Sequence, residues 1–415
     1  MRAPDLPCAG VPVGTPPFTT DLKAPSVIDD FIRFVRDTFP AADPVPLHAP
    51  RFDGNEKRYV CETIDSSYVS SVGAFVNEFE ARVAAYTGAA HAIATVNGTA
   101  ALHIALKLAG VAPGEYVLTQ SLSFVATCNA IRYCDADPLF VDVSPDTLGL
   151  CPHALEAFLD SRCTPHPDGP RLRDDGRRIA ACLPMHTLGH PVQIEALLEV
   201  CEDWNLPLVE DAAEALGSRA GGRHAGTFGR LGTLSFNGNK IITTGGGGMI
   251  LTKDAALAAR ARHLTTTAKR PHRWAFEHDE VGYNYRLPNL NAALGCAQME
   301  SLPRFVQAKR ALAGRYARWA ADHGLRFIHE PPGTQANYWL NALQLSDRAT
   351  LERFLTATND AGVMTRPLWT PMHRLPMYAD CPRDALAVTE HLAETLVNVP
   401  SSPLPADLEH GAAAA

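Results

Sequence analysis

Ser235-Phe-Asn-Gly-Asn-Lys240-Ile-Ile-Thr-Thr-Gly245-Gly-Gly-Gly248 is the stretch from which the rest of this chain can be read. One lysine stands between a hydroxyl, Ser235, and a run of glycines, Gly245 to Gly248. The apolar runs on either side, Thr233 to Phe236 and Met249 to Thr252, read as a strand pair, so the lysine lies in the loop between two strands. An amine partly withdrawn from water loses charge and becomes nucleophilic, which is what a lysine needs to hold an aldehyde as a Schiff base. Glycines would let backbone pass close to a bulky ring and supply unusual dihedrals. A lone lysine among glycines is also what an ordinary surface loop looks like. A Walker A loop does not fit, because it needs G-x-x-x-x-G-K-[ST], and here Asn239 precedes Lys240 and Ile241 follows it.

Outward from this loop the chain alternates strand and helix. His91 to Val96, Tyr116 to Thr119, Leu139 to Val143, Ile179 to Leu183 and Leu206 to Glu210 read as strands. Helices over Ala100 to Ala109, Ala126 to Tyr133 and Gln193 to Trp204 fall among them. This alternation predicts an α/β fold with a mostly parallel sheet covered by helices on both faces. Ligands on such sheets bind outside the carboxyl ends of the strands. Upstream, Ser26 and Asp29 open an amphipathic helix with Ile28, Phe31, Ile32 and Val35 on one face, ended by Pro40. Another helix runs from Phe75 to Tyr86 and stops at Gly88. Downstream, Leu290 to Met299 reads as a helix, and Arg304 to His323 as a long helix bridging to a smaller α+β domain. That domain holds the strand Tyr338 to Leu345 and helices over Thr350 to Ala361 and Ala385 to Leu396. The expected division is an N-terminal extension with one helix (1–45), a large domain (46–300), a small C-terminal domain (301–407) and a tail (408–415).

The chain has 415 residues, 46% of them hydrophobic, so it can bury a large core. Its net charge of -8, with no dense basic stretch, argues against nucleic acid as a partner. No apolar run reaches the length of a membrane span, and the N-terminus lacks an apolar signal core. The ten cysteines form no C-x-x-C pair and no metal spacing. Cys134, Cys182, Cys201 and Cys296 sit in apolar contexts that suit reduced, buried thiols. A cytoplasmic enzyme with no metal and no membrane contact is expected.

Three further elements sit at strand ends. Asn97-Gly98-Thr99-Ala100 joins a strand to a helix, and its backbone N–H groups and the Thr99 hydroxyl suit a phosphate at a helix N-terminus; it is equally an ordinary turn with a cap. Phe124 follows a strand and can stack on a planar heterocycle or pack in the core. Asp211 closes an apolar run, where a carboxylate can keep a pyridine nitrogen protonated or cap a helix over Ala212 to Leu216. On such a helix Glu214 shares a face with Asp211. Ser235 could bind the same phosphate as the Gly98–Thr99 turn.

In their order and spacing these elements resemble the pyridoxal-phosphate sugar aminotransferases of the DegT/DnrJ/EryC1/StrS family, which have the aspartate aminotransferase-like fold. The resemblance runs from Ser70 to Ser402 and rests on Asn97-Gly-Thr-Ala-Ala-Leu102, Glu210-Asp-Ala-Ala-Glu214, Ser235-Phe-Asn-Gly-Asn-Lys240 and Gly282-Tyr-Asn-Tyr-Arg-Leu-Pro-Asn-Leu-Asn-Ala-Ala293. Ser70-Ser-Val-Gly-Ala-Phe-Val76, His263-Leu-Thr-Thr-Thr-Ala-Lys269, Met364-Thr-Arg-Pro-Leu-Trp369 and Leu375-Pro-Met-Tyr378 look most like the legionaminic acid and bacillosamine branch.

The resemblance implies pyridoxal 5'-phosphate as cofactor, glutamate as donor, and amination at C4 of a UDP-linked 4-keto-6-deoxy-N-acetylglucosamine in surface-glycan or nonulosonic acid biosynthesis. Lys240 would be the Schiff-base lysine and proton shuttle. Asp211 would pair with the pyridinium, and Phe124 would stack on the ring. Gly98, Thr99 and Ser235 would bind the phosphate. Glu214 stands where the family often has Gln or His, near the ring's 3-oxygen. Asn284 would reach the phosphate of a neighbouring subunit, giving a homodimer with shared active sites. His186 and His190 lack partners at metal spacing and read as loop and active-site wall. His186, Lys269, Arg366 and His373 are candidate substrate contacts. Competing within the family are a 3-aminotransferase and a nucleotide-sugar dehydratase, the latter carrying histidine where this chain keeps Lys240. A cofactor-binding regulator would need an appended module, for which the short lead-in leaves no room.

Overall fold

The computed structural model describes residues 25–404 and Asp407. The expected Pro-rich lead-in, the Ser26 cap and the tail lie outside the described residues and side chains. Three helices come first: α1 (Pro25–Thr38), α2 (Glu56–Asp65) and α3 (Ala74–Thr87). The main sheet is then built from β1 (His91–Thr95), β2 (Tyr116–Gln120), β3 (Asp137–Val141), β4 (Ile179–Leu183), β5 (Val209–Asp211), β6 (Leu231–Ser235) and β7 (Gly248–Thr252). Between and after them run α4 (Gly98–Ala109), α5 (Val125–Tyr133), α6 (Pro152–Arg162), α7 (Ile194–Asp203) and α8 (Ala255–Thr265).

Strands β3-β2-β4 form one group, all parallel, and β1-β7-β6-β5 form a second, mixed group. Parallel bridges Cys182–Leu208 and Met185–Asp211 join β4 to β5, giving one sheet in the order β3-β2-β4-β5-β6-β7-β1. Only β7 runs against its neighbours. The period-2 alternation of strands sorts their side chains to two cores. Ala92 and Ala94 join α3 and the first half of the long helix on one face, while Ile93 joins α4, α5 and α8 on the other. Met249 and Leu251 versus Ile250 repeat the pattern on β7. Near β2, β3 and β4 the first face is covered by α6 and α7.

The long helix, α9 (Asn289–Asp322), is continuous where two helices are expected from the sequence. Pro303 removes a donor and crowds the preceding turn, which ordinarily ends a helix. Leu302 and Phe305 on either side of it are buried in the same core as α3, and α2 also packs here, so tertiary burial overrides the local cost. The first half of α9 packs on the main sheet, and its second half, from Leu312 to Ala320, packs in a separate core. That second core holds the smaller antiparallel sheet, β8 (Arg326–Phe327), β9 (Asn341–Gln344), β10 (Arg366–Pro367) and β11 (Leu396–Val399), in the order β8-β9-β11-β10. Helices α10 (Arg348–Asp360) and α11 (Ala387–Thr395) accompany it. Phe31 and Val35 of α1 are fully buried in this same core, so the helix of the N-terminal extension packs with the smaller layer. Among the described residues no helix is long and apolar enough to cross a membrane.

Candidate active site

Five strand ends, those of β1, β2, β4, β5 and β6, meet at one cavity of about 300 Å³. After β1, the Asn97 side chain accepts the Ala100 N–H at 2.7 Å and caps α4. A helix N-terminus directs backbone N–H groups and partial positive charge outward, and Gly98 and Thr99 line the cavity here. Ser235, at the end of β6, lies against this turn: a Cβ on Gly98 would come within 3.1 Å of the Ser235 hydroxyl. Two hydroxyls and a helix N-terminus therefore face one corner, which suits an anion.

Asp211 ends β5 and is tied to both neighbouring strands. Its N–H donates to the Pro184 carbonyl, its carbonyl accepts the His186 N–H, and the next N–H, of Ala212, donates to Thr233. Its carboxylate is 2% exposed and reaches the cavity lining. The Thr127 hydroxyl donates to Oδ2 at 2.7 Å and the Ala213 N–H to Oδ1 at 3.1 Å. Burial still pushes the Asp211 carboxyl above its ordinary range, against these two bonds and the nearby charge of Lys240. A cationic or protonated partner in the cavity would be favoured there. The expected helix over Ala212 to Leu216 is not formed; consecutive turns take its place. Asp211 and Glu214 face the same space through these turns, not through helical spacing.

Lys240 lies in the loop after β6, with its side chain 12% exposed. Its Nζ is 3.1 Å from Glu214 Oε1 and 4.0 Å from the centre of the Trp339 ring. Glu214 Oε2 accepts the Leu188 N–H at 2.8 Å. Burial pushes the Glu214 carboxyl up, opposed chiefly by Lys240 and the Leu188 N–H. Phe124, 44% exposed, forms a wall of the cavity and meets Trp369 edge-on at 6.0 Å.

Gly98, Thr99, Phe124, Asp211, Glu214, Ser235 and Lys240 are thus brought together, and the other expected contacts are not. His186 is fully buried: its Nδ1 accepts the Val192 N–H and its Nε2 faces Glu210 at 3.0 Å. It sits behind the site and, contrary to expectation, offers nothing to a substrate. Lys269 lies over the Phe276 ring and Arg366 is bonded to Asn359 and Thr365, both off the cavity lining. His373 is held between Ser121 and Glu390, also off the lining. Asn284 is exposed and away from this cavity. Gly245, at φ +77°, takes the unusual dihedral expected of the glycine run, while Gly248 makes its close approach to backbone rather than to a ring. A Cβ on Gly248 would stand 2.3 Å from the Asn97 carbonyl oxygen, so the glycine lets β7 pass the phosphate-type turn backbone to backbone.

Several contributors escape a sequence reading. Gln120 holds the loops after β2 and β4 together: Oε1 accepts the Met185 and Leu150 N–H groups, and Nε2 donates to the Leu122 carbonyl and the Thr187 hydroxyl. Glu210, next to Asp211, accepts the Gly226, Phe228 and Gly229 N–H groups at 2.6–2.7 Å. Burial pushes its carboxyl up, but His186 and these N–H groups outweigh that and hold it low. A charged residue inside an apolar run was the available signal for Glu210. Trp339 and Trp369 come from the smaller layer, and nothing local in the sequence ties them to Lys240.

The site offers an amine for a carbonyl, a buried carboxylate for a protonated nitrogen, an anion corner and an aromatic wall. Residues 50–409 match the family described as the DegT/DnrJ/EryC1/StrS aminotransferase family. A protein of Caulobacter vibrioides named GDP-perosamine synthase is 38% identical over 361 residues, 86% of this chain and 93% of that protein. A Bacillus subtilis protein with the provisional name pyridoxal phosphate-dependent aminotransferase EpsN is 37% identical over 334 residues, covering 80% of this chain and 83% of its own. Among solved structures, the aminotransferase TlmJ from Streptoalloteichus hindustanus superposes with a TM-score of 0.79 at 29% identity, covering 88% of this chain and 96% of that one.

Proposed function

This chain belongs to the DegT/DnrJ/EryC1/StrS aminotransferase family, and from that premise we propose that it moves an amino group from glutamate to the C4 ketone of UDP-4-keto-6-deoxy-N-acetylglucosamine. It is a pyridoxal phosphate-dependent transaminase of nucleotide-linked sugars. The observation that carries the assignment of residues is the convergence of the Lys240 amine, the Asp211 carboxylate and the α4 N-terminus on one cavity. Pyridoxal 5'-phosphate fits that donor set, since it carries an aldehyde, a pyridine nitrogen and a phosphate, one for each. The UDP-linked acetamido sugar is supported by the branch-like segments around Ser70, His263, Met364 and Leu375.

When bound, the cofactor supplies an electron-withdrawing ring and a carbon that accepts the amino group. Lys240 is the residue that would hold the cofactor's aldehyde, and its amine, beside Glu214 at the cavity, would carry the proton to and from the donor Cα, a positioned transfer of the kind that contributes about 10²–10⁴-fold. Asp211 would pair with a protonated ring nitrogen, and such a cation would relieve the buried carboxylate. The Gly98 and Thr99 backbone with the Thr99 and Ser235 hydroxyls orients the phosphate. Phe124 shields one side from water. Glu214 must keep a proton or a cationic partner, because burial disfavours its charge.

A GDP-linked sugar is a second reading, favoured by the relative named GDP-perosamine synthase. Incubating the enzyme with glutamate and either the UDP-linked or the GDP-linked 4-keto-6-deoxy sugar separates the two by product mass. Amination of the UDP sugar supports the first reading, amination of the GDP sugar alone replaces it with the second, and neither product removes both. A homodimer with Asn284 reaching the other subunit's site is part of the proposal. Trp274, Phe276 and Val281, 73–80% exposed in the segment that leads to Asn284, are apolar surface available to it. Mixing Asn284 and Lys240 variants is to restore activity in hybrid dimers; no rescue across a titration of the two removes the shared site.

A further inference from the structure

Trp339 meets the lysine loop at two points. Its indole N–H donates to the Asn239 carbonyl at 2.7 Å, fixing the peptide just before the lysine. Its ring face lies 4.0 Å from Nζ, opposite a carboxylate oxygen of Glu214 at 3.1 Å. The indole is 4% exposed, and a desolvated ammonium over a tryptophan face is held more strongly than an exposed one. The backbone that delivers it is unusual. Tyr338 has φ +48°, in the left-handed region that a bulky residue rarely adopts. Buried Asn337 secures that turn: its Oδ1 accepts the Trp339 N–H at 2.8 Å, and its Nδ2 donates to the Glu214 and Leu216 carbonyls at 2.8 and 2.9 Å. The two groups flanking the amine, Trp339 and Glu214, are therefore locked to each other through Asn337.

We propose that Trp339 is a positioning residue that sets the direction of the Lys240 amine, through the indole N–H on the preceding peptide and the ring face beside Glu214. The inference rests on Lys240 being the amine that takes the cofactor. It assigns the smaller layer a part in aiming the lysine, so that the two layers must be correctly seated for the amine to point at the reacting carbon.

The test begins with cofactor-free full-length protein, labelled briefly with acetic anhydride, with the Lys240 peptide measured against exposed Lys57. Trp339→Leu is expected to raise Lys240 labelling about tenfold relative to Lys57, and Trp339→Phe, which keeps a ring face and loses the N–H, to give an intermediate rise. In the loaded enzyme the same series is expected to slow the glutamate half-reaction by about tenfold or more, with a larger deuterium isotope effect at Cα and an unchanged KM for the nucleotide sugar. Equal labelling in all three proteins overturns the proposal, as does a rate loss that merely follows Tm. Wild-type protein that takes up no pyridoxal phosphate instead sinks the reading beneath it, and the labelling ratio, measured without cofactor, is independent of that failure.

Discussion

Lys240 and Lys309 are both withdrawn from water, yet they have opposite surroundings. Lys240 keeps 12% of its side chain exposed, faces a cavity, and has Glu214 and an aromatic face for its charge. Lys309 lies on α9 where the helix passes from the main core to the smaller one, has no exposed surface, and donates to the Ser401 carbonyl. Burial alone, with no carboxylate among the described residues to oppose it, pushes the Lys309 amine down to about 7. Loss of charge therefore does not make a lysine a reactive group. Lys240 differs in lining a cavity, in having an acid that balances its charge, and in having Asp211 across the same cavity.

The comparison breaks most sharply on activity. Lys240→Ala is expected to abolish the visible absorbance of bound cofactor and to lower kcat about 10²–10⁴-fold. Lys309→Met is expected to leave both unchanged. A Lys240→Ala protein with an intact spectrum, or a Lys309→Met protein that cannot turn over while keeping its Tm, would reverse the assignment. Asp211→Asn sharpens it by removing the charge that Lys309 lacks a counterpart for. The variant is expected to retain some cofactor while kcat falls about 10²-fold, the size typical of losing one electrostatic contact in a closed site. Near-normal kcat would remove Asp211 from its role.

The parts of the site that were legible beforehand lie within a few residues of a strand end. Asp211 and Ser235 close strands, so their direction follows once the strand is placed; Glu214 and Lys240 lie a few residues on, and Glu214 reaches the cavity through turns rather than the expected helix. The alternation that predicts the sheet also predicts which loops converge. What was not legible depends on contacts between distant segments. Trp339 reaches Asn239 only because the smaller sheet is seated on the main one. His186, adjacent in sequence to Met185 of the cavity lining, is turned inward by Glu210 and Val192. The break expected near Pro303 fails because the apolar residues around it are worth more in the core than one missing N–H.

The smallest expected effect lies at the helix handover and concerns stability. A folded-state value for Lys309 of about 7, against 10.5 ordinarily, amounts to about 4 kcal/mol of penalty at neutral pH. Because the folded value is depressed, the unfolded chain binds the proton more readily. The penalty is complete below pH 7 and fades as pH rises toward 10.5, so wild-type stability should climb across that window on account of this group. Lys309→Met removes the penalty but strands the Ser401 carbonyl, at about 1–3 kcal/mol. The net expectation is a gain of about 1–3 kcal/mol at pH 7 that shrinks toward pH 10, read from denaturant unfolding at a series of pH values. A variant that is destabilised at pH 7, or whose advantage does not narrow with rising pH, would mean that Lys309 has a charge partner after all, and the contrast with Lys240 would reduce to the cavity alone.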